Sequence, residues 1–257
     1  MTNIDAKAVG SLRTRTGVSM MMCKKALEEA GGDEEKAIEI LRKNGASAAA
    51  KKAERDQSEG SVFSASSDGK AAIVRIDCET DFVARDDNFK ALGQELADTL
   101  LSGGLEKAQA AVDEKIPALV QKLGENITLG KMELAEAAVS GVYVHSNGKI
   151  GVAIGLSGGS EDLAKDIAMH AAAMNPLYVL PEEVSEEELN KEREIWKDQL
   201  AAEGKPAEIM DKIMAGKEKK FREENALTTQ EFVKEPGKLV GELLGDASIV
   251  KYVRIAV

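Results

Sequence analysis

The chain of 257 residues is poor in cysteine, histidine and aromatic side chains. Its two cysteines, Cys23 and Cys78, lie far apart with no Cys-x-x-Cys pair, which argues against a disulfide scaffold or a structural zinc site and fits a reducing compartment. Two histidines cannot support a His-rich metal site. Aromatics make up 4 % of the residues, with one Trp and three Tyr, so a platform for stacking bases is not expected. No segment approaches the roughly 20 apolar residues that span a bilayer; the longest, Ile150 to Leu156, is far shorter. The first ten residues lack a basic stretch followed by an apolar one, so no secretory leader is expected and a cytoplasmic location is. Positive charge is in deficit: 34 Lys and Arg face 45 Asp and Glu, a net charge of −11. A uniformly acidic surface repels nucleic acid and anionic lipid, so neither is an expected direct partner.

Catalytic signatures are missing as well. No phosphate-binding GxxxxGK[ST] occurs, and Gly155 to Ser160 lacks both its lysine and the GxGxxG spacing, reading instead as a loop. The carboxylate clusters Glu182-Glu183, Glu186 to Glu188 and Glu223-Glu224 sit on solvated helix faces. No nucleophile is paired with a base. A binding protein without a cofactor is favoured over an enzyme.

What is present is unevenly distributed. Residues 1–55 hold eleven basic and eight acidic residues, a net +3, which leaves −14 for the remainder. The opening segment reads as a separate module of three short helices. Ile4, Ala8 and Leu12 form the first stripe. Ser19 caps a second helix whose core face is Cys23, Ala26, Leu27 and Ala30. Asp33 caps a third helix, with Ala37, Ile38 and Leu41 inward and Gly45 as its stop. In the run Met20-Met21-Met22, Met20 lies about 60° from the stripe centre, Met22 about 100° and Met21 about 160°. Met21 is therefore placed on the wet face, where a polarizable side chain suits an adaptable protein contact, flanked by Lys24 and Lys25. Met20, nearer the stripe, is read as a packing residue of the core.

Residues 46–60 form a polar bridge that can begin as helix. A strand, an Asp68-Gly69 turn and a second strand follow, a strong hairpin signal. The plan recurs from Gly141 with Asn147-Gly148 as the turn, aligning Gly69-Lys70 with Gly148-Lys149 and Ile73 with Val152. Each hairpin precedes an amphipathic helix, one facing inward through Phe89, Leu92, Leu96 and Leu100, the other through Leu163, Ile167 and Met174. Leu105 to Leu123 reads as a further helix, Ile127 to Leu134 as a strand, and Ser248 to Val257 as a strand closing the second sheet. Residues 182–225 read as a projecting helical hairpin turned at Gly204-Lys205-Pro206, with Ile195, Leu200, Ile209, Ile213 and Met214 in its seam. The expected class is α+β. Its parts are a helical module (1–55), a first core subdomain (56–140), a second (141–181 and 226–257), and the hairpin inserted in the second (182–225).

Two further positions stand out. His170 reads as a packed core imidazole; His145, beside the second hairpin turn, is either a partner contact or an exposed strand residue. In Cys78 to Asp86, Thr80 or Asp81 can cap a helix that starts after the strand, with Phe82 as a core residue.

Several long motifs in order give this sequence a close resemblance to the elongation factor Ts family. They are Leu12-Arg13-x-x-Thr16-Gly17-x-x-Met20-Met21-x-Cys23-Lys24-Lys25-Ala26-Leu27, Gly32-Asp33, Thr80-Asp81-Phe82-Val83-Ala84, Gly124-Glu125-Asn126-Ile127, Ile167-Ala168-Met169-His170-x-Ala172-Ala173 and Gly204-Lys205-Pro206. The resemblance implies a ubiquitin-associated-like N-terminal domain, two related core subdomains with antiparallel sheets and an inserted coiled-coil hairpin. It implies guanine-nucleotide exchange on elongation factor Tu during translation. There Thr80, Asp81, Phe82 and Val83 would press near the partner's Mg²⁺ and phosphates, with Phe82 as wedge. It also implies that Arg13, Met20, Met21 and Lys24 touch the partner's guanine-binding domain, and, more weakly, that His145 is a contact. The hairpin reaches the partner in some members and homodimerises in others, so a homodimer or heterotetramer is open. Members continue past the last strand into a C-terminal helical module, whereas this sequence runs to Val257. The competing reading is a non-exchange adaptor that binds nascent polypeptide through its N-terminal module.

Overall fold

A computed structural model describes residues 4–203 and 206–257. Met1, Thr2 and Asn3 and the Gly204-Lys205 part of the hairpin turn lie outside the described residues. Three helices open the chain: α1 (Ala6–Thr16), α2 (Met20–Glu29) and α3 (Glu34–Lys52). Asp5, Ser19 and Asp33 cap them, each accepting a backbone N–H of the first turn. Val9, Leu12, Val18, Cys23, Ala26, Leu27, Ala37 and Leu41 close a small core of their own.

Gly45 does not stop α3, which runs on to Lys52. The glycine serves a close approach instead: a Cβ there would sit 3.0 Å from the carbonyl oxygen of Pro117. Through this approach and an Arg42–Glu114 ion pair, α3 packs on the long element α5 (Asp87–Leu123). That element is broken at Gly104, with φ 75°, into two arms lying side by side. Glu95 pairs with Lys115 across them, and Lys122 Nζ donates to Asn88 Oδ1 at 2.6 Å.

The centre is a sandwich of two antiparallel three-stranded sheets. One holds β1 (Glu59–Ser67), β2 (Lys70–Cys78) and β3 (Ile127–Glu136) in that order. The other holds β4 (Val139–Val144), β5 (Ile150–Leu156) and β6 (Ile249–Ala256). Both follow one plan: hairpin, helix, then a third strand beside the second. The sheets meet through small or branched residues, Val62, Ala71, Ile73, Ala135, Ala153, Val253 and Ile255. A Cβ on Gly151 would strike Val62 Cγ1 at 2.5 Å, so this interface requires glycine there. The alternate residues face outward: Ala72, Val74, Ile76 and Cys78 pack on α5, and Val152, Ile154 and Leu156 on α6 (Glu161–Met174). Along the stack β1 lies over β4 and β3 over β6.

The expected alignment of Ile73 with Val152 as equivalent positions of the two hairpins is therefore off by one residue. Ile73 faces the opposite sheet and Val152 faces α6, and a slip of one exchanges faces in a strand. The cause is the turns. Asp68 and Gly69 both adopt positive φ in a tight two-residue turn. The second turn is longer: Gly148 N–H donates to the His145 carbonyl at 2.8 Å and only Gly148 takes positive φ. On α6 the inward face is Ala164, Ile167, Ala168 and Ala171, and Met174 is exposed. Alanines are needed because α6 lies against Gly141 of β4, where a Cβ would come within 2.6 Å of the Lys165 nitrogen.

After α6 the chain enters α7 (Glu186–Ala202), and α8 (Ala207–Asn225) returns beside it. The expected seam is partly corrected. Ile195 and Ile209 are exposed, whereas Leu189, Trp196 and Leu200 are buried, and Trp196 meets Phe221 edge-on at 5.8 Å. Arg193 bridges to Glu218 at 2.6 Å. The short helix α9 (Val240–Leu244) then leads into β6. Among the described residues no helix is long and apolar enough to cross a membrane.

Candidate functional site

Strand β2 delivers the chain to a single helical turn, α4 (Asp81–Ala84). Thr80 is its cap, accepting the Val83 N–H at 3.4 Å. Val83 and Ala84 turn into the core beneath β2, and that choice fixes the opposite side of the turn. Phe82 is consequently 81 % exposed, the most exposed large apolar side chain among the described residues. The core position expected for it from local pattern is thereby corrected: a four-residue helix has room for one inward pair, and Val83 and Ala84 occupy it. Beside Phe82, the Asp81 carboxylate is held by Arg85 at 2.9 Å.

The turn is clamped from behind by a residue that local pattern did not single out. Glu125 follows the left-handed cap Gly124 at the end of α5. One of its oxygens accepts the Thr80 hydroxyl at 2.6 Å; the other accepts the Thr80 and Glu79 N–H groups at 3.0 and 3.2 Å. In return Glu79 accepts the Asn126 N–H at 2.6 Å. That bond, with help from Arg55, holds the Glu79 carboxyl below its ordinary range. Cys78 is buried against the same brace, and burial, reinforced by the Glu125 charge, pushes its thiol up to about 12, so it is inert packing. The sequence signal for Glu125 lay in its place after a helix-ending glycine, but the span between Thr80 and Glu125 hid the contact.

The turn between β4 and β5 is brought to the same edge of the sandwich. Val62 N–H of β1 donates to the Gly148 carbonyl at 2.7 Å, and Lys149 pairs with Glu59 at 2.6 Å. Between this turn and α4 lies a hollow of about 650 Å³ that Asp81, Arg85, Asn147 and Lys149 help to line. His145 stands next to it but faces elsewhere. Its Nδ1 is 3.2 Å from the Tyr143 hydroxyl, and both rings line a smaller hollow with Met169 and Val233.

The methionine face is a separate feature on α2. Met21 is 70 % exposed and Met20 45 %, so the core alternative for Met20 falls; Met22 is the one that packs against the helical core. Lys24 and Arg13 are exposed, Lys24 at 3.8 Å from Glu28. This face and the Phe82 turn are built on different hydrophobic clusters.

His170 is fully buried, as expected. Val233 N–H donates to its Nδ1 at 3.3 Å, which leaves the proton on Nε2, 3.0 Å from Gln230 Oε1. Burial lowers its pKa. Among the described residues no group of three or more His, Cys, Asp or Glu is arranged to hold a metal ion.

Comparison with known proteins bears on the whole of this architecture. The family described as Elongation factor TS matches residues 79–257. Elongation factor Ts of Deinococcus deserti is 42 % identical over 260 residues, covering 98 % of this chain and 98 % of that protein. The Elongation factor Ts proteins of Marinobacter nauticus and Hahella chejuensis are 48 % and 47 % identical, covering all of this chain and 92 % and 93 % of their own lengths.

Proposed function

Because the chain belongs to the elongation factor Ts family, and is thus a translation elongation factor, we propose that it exchanges guanine nucleotide on elongation factor Tu. The observation that carries this reading is the exposed Phe82 on a braced turn. An apolar ring held in water by a rigid support is preorganised for insertion into a partner, because little ordering entropy remains to be lost on binding. Full burial of such a side chain contributes about 1.5–3 kcal/mol.

In this mechanism Phe82 acts as the wedge and Asp81 as a polar contact at its side. Thr80 and Val83 hold the turn from the cap and from the core. The partner's nucleotide is retained through charge on its Mg²⁺ and phosphates. A wedge that displaces this shell binds at the expense of GDP, and the coupling is reciprocal. Each ~1.4 kcal/mol of coupling weakens GDP about tenfold. GTP then fills the vacated site. No covalent bond changes, so the protein needs neither a catalytic residue nor a cofactor of its own.

Arg13, Met20, Met21 and Lys24 form a second contact, to the guanine-binding domain, and the exposure of both methionines supports it. His145 is a third contact near the first. The helices of residues 1–55 act as a ubiquitin-associated-like domain. Residues 56–140, and 141–181 with 226–257, are the core subdomains, and 182–225 are a coiled-coil insertion. The separate cores of the helical bundle and of each sheet support this division.

The test is release of labelled GDP from elongation factor Tu with and without this protein. Acceleration at micromolar concentration is expected. No acceleration would sink the proposal, and capture of unfolded polypeptide instead would favour an adaptor.

A further inference from the structure

The sandwich has two long edges. The β1/β4 edge carries the Phe82 turn; the β3/β6 edge lies on the other side. Strand β6 pairs only with β5, so the backbone groups along its outer side have no strand partner among the described residues; the Ala256 carbonyl at its end accepts Arg75 Nη1 at 2.7 Å instead. Natural proteins blunt such an edge with proline, a bulge or a covering loop. The one irregularity of β6 lies at its start, opposite Gly155/Leu156, and no proline interrupts its eight residues.

A hollow of about 370 Å³ runs along this edge, lined by β6 residues Lys251 to Arg254, by Lys131 and Glu133 of β3, and by Asn175 to Leu177 after α6. Its charge opposes that of the molecule. Lys131, Lys251 and Arg254 converge on it against a single acid, Glu133, which both lysines share at 3.6 Å. Arg254 Nη2 donates to the Ala172 carbonyl at 3.3 Å, while its Nε is buried without a hydrogen-bond partner. Apolar surface borders the cations: Val250 is 54 % exposed and Leu177 58 %. Lysines that merely protect an edge would stand apart in water; here three cations frame one channel beside the strand edge from residue 250 to 254, which no other strand covers among the described residues.

We propose that the β6 edge is a docking site for an extended acidic segment of a partner protein, which adds a strand to the second sheet. Backbone hydrogen bonds to β6 supply affinity, and alternate acidic side chains on the face toward β3 meet Lys131 and Lys251, while Arg254, on the α6 face, adds positive charge at the far side of the added strand. A second copy of this chain is the poorer occupant, since β6 against β6 brings Lys251 and Arg254 of one copy to those of the other. The site lies on the opposite edge of the sandwich from the Phe82 turn.

The probe is a fluorescein-labelled peptide of four Glu-Val repeats, followed by fluorescence polarisation with the full chain. Saturable binding is expected, weakening as salt is raised. A Lys-Val peptide and a Glu-Pro peptide should both fail, the first on charge and the second for want of backbone N–H groups. The double variant Lys131→Gln, Lys251→Gln should bind about tenfold or more weakly with a melting temperature within a few degrees of wild type, since the ion pairs it removes are exposed. Amide exchange should slow over residues 249–256 when the peptide is present. Phe82→Ala should bind it as the wild type does, which separates this site from the exchange reading. No saturation below about 1 mM, equal binding of the Glu-Pro peptide, or an undiminished double variant would each overturn the proposal. So would a dimer in sedimentation that the acidic peptide fails to disrupt, which assigns the edge to a second copy.

Discussion

Replacing Glu125 by alanine tests whether the Phe82 turn works because it is held. The carboxylate accepts three hydrogen bonds from the turn, at 2.6, 3.0 and 3.2 Å. Bonds to a charged group contribute about 1.5–3 kcal/mol each when buried. Here the site is half-buried and water can take over the freed N–H groups, so we assign about 1.5–3 kcal/mol to the whole clamp. Expressed as a loss of the competent turn, this is roughly a tenfold to hundredfold fall in nucleotide-exchange efficiency. The accompanying drop in melting temperature is modest, about 2–4 °C per kcal/mol for a chain of this size. Stopped-flow release of labelled GDP from elongation factor Tu measures the first; calorimetry measures the second. Glu125→Gln should recover most of the loss, because its amide oxygen still accepts the two N–H groups and its NH₂ can donate to the Thr80 hydroxyl. In a Phe82→Ala background, Glu125→Ala should cost little more, since both act through one turn. Additive losses, or a Glu125→Ala protein within twofold of wild type, would refute the clamp.

Other expectations follow from the packing. Gly45→Ala should destabilise the protein, although alanine in a helix ordinarily stabilises by about 0.5–1 kcal/mol, because its Cβ would meet the Pro117 carbonyl at 3.0 Å; a raised melting temperature would contradict the close approach. Trp196→Ala removes the ring that meets Phe221. It should melt α7 and α8 selectively, seen as lost helicity and fast amide exchange over 186–225 with the sheets still protected. His170 has a lowered folded-state pKa, so folding disfavours its charged form. Stability from this group is present above the unfolded value, near pH 6.5, and is lost as pH falls through it toward the folded value. Denaturant unfolding between about pH 7 and 5 should show this slope in the wild type and lack it in His170→Asn.

Much of this architecture is legible in the residues because local rules and burial agree there. Ser19, Asp33 and Thr80 cap the helices they announce, and Asp68-Gly69 makes the two-residue turn that its composition demands. The failures share one cause, a distant partner overriding a local signal. Gly45 looks like a stop, but it is a contact point with Pro117, far along the chain. Phe82 looks like a core residue until Val83 and Ala84 are seen to fill the only inward positions. The second hairpin shifts face by one residue because its turn is longer than the first. Within the candidate site, the helical wheel of α2 put Met21 on the surface correctly but favoured the core for Met20, and the structure exposes both. Glu125 could not be recognised from spacing, since its partners are brought near only by the return of α5.

The proposed exchange depends above all on Phe82, and the most direct measurement compares GDP release from elongation factor Tu driven by wild-type protein and by Phe82→Ala. The ring is 81 % exposed, so its removal should leave stability within roughly 0.5 kcal/mol. The burial it would gain at the partner, about 1.5–3 kcal/mol, predicts exchange slowed by roughly tenfold to hundredfold. A stable Phe82→Ala protein that releases GDP at the wild-type rate would contradict the central claim.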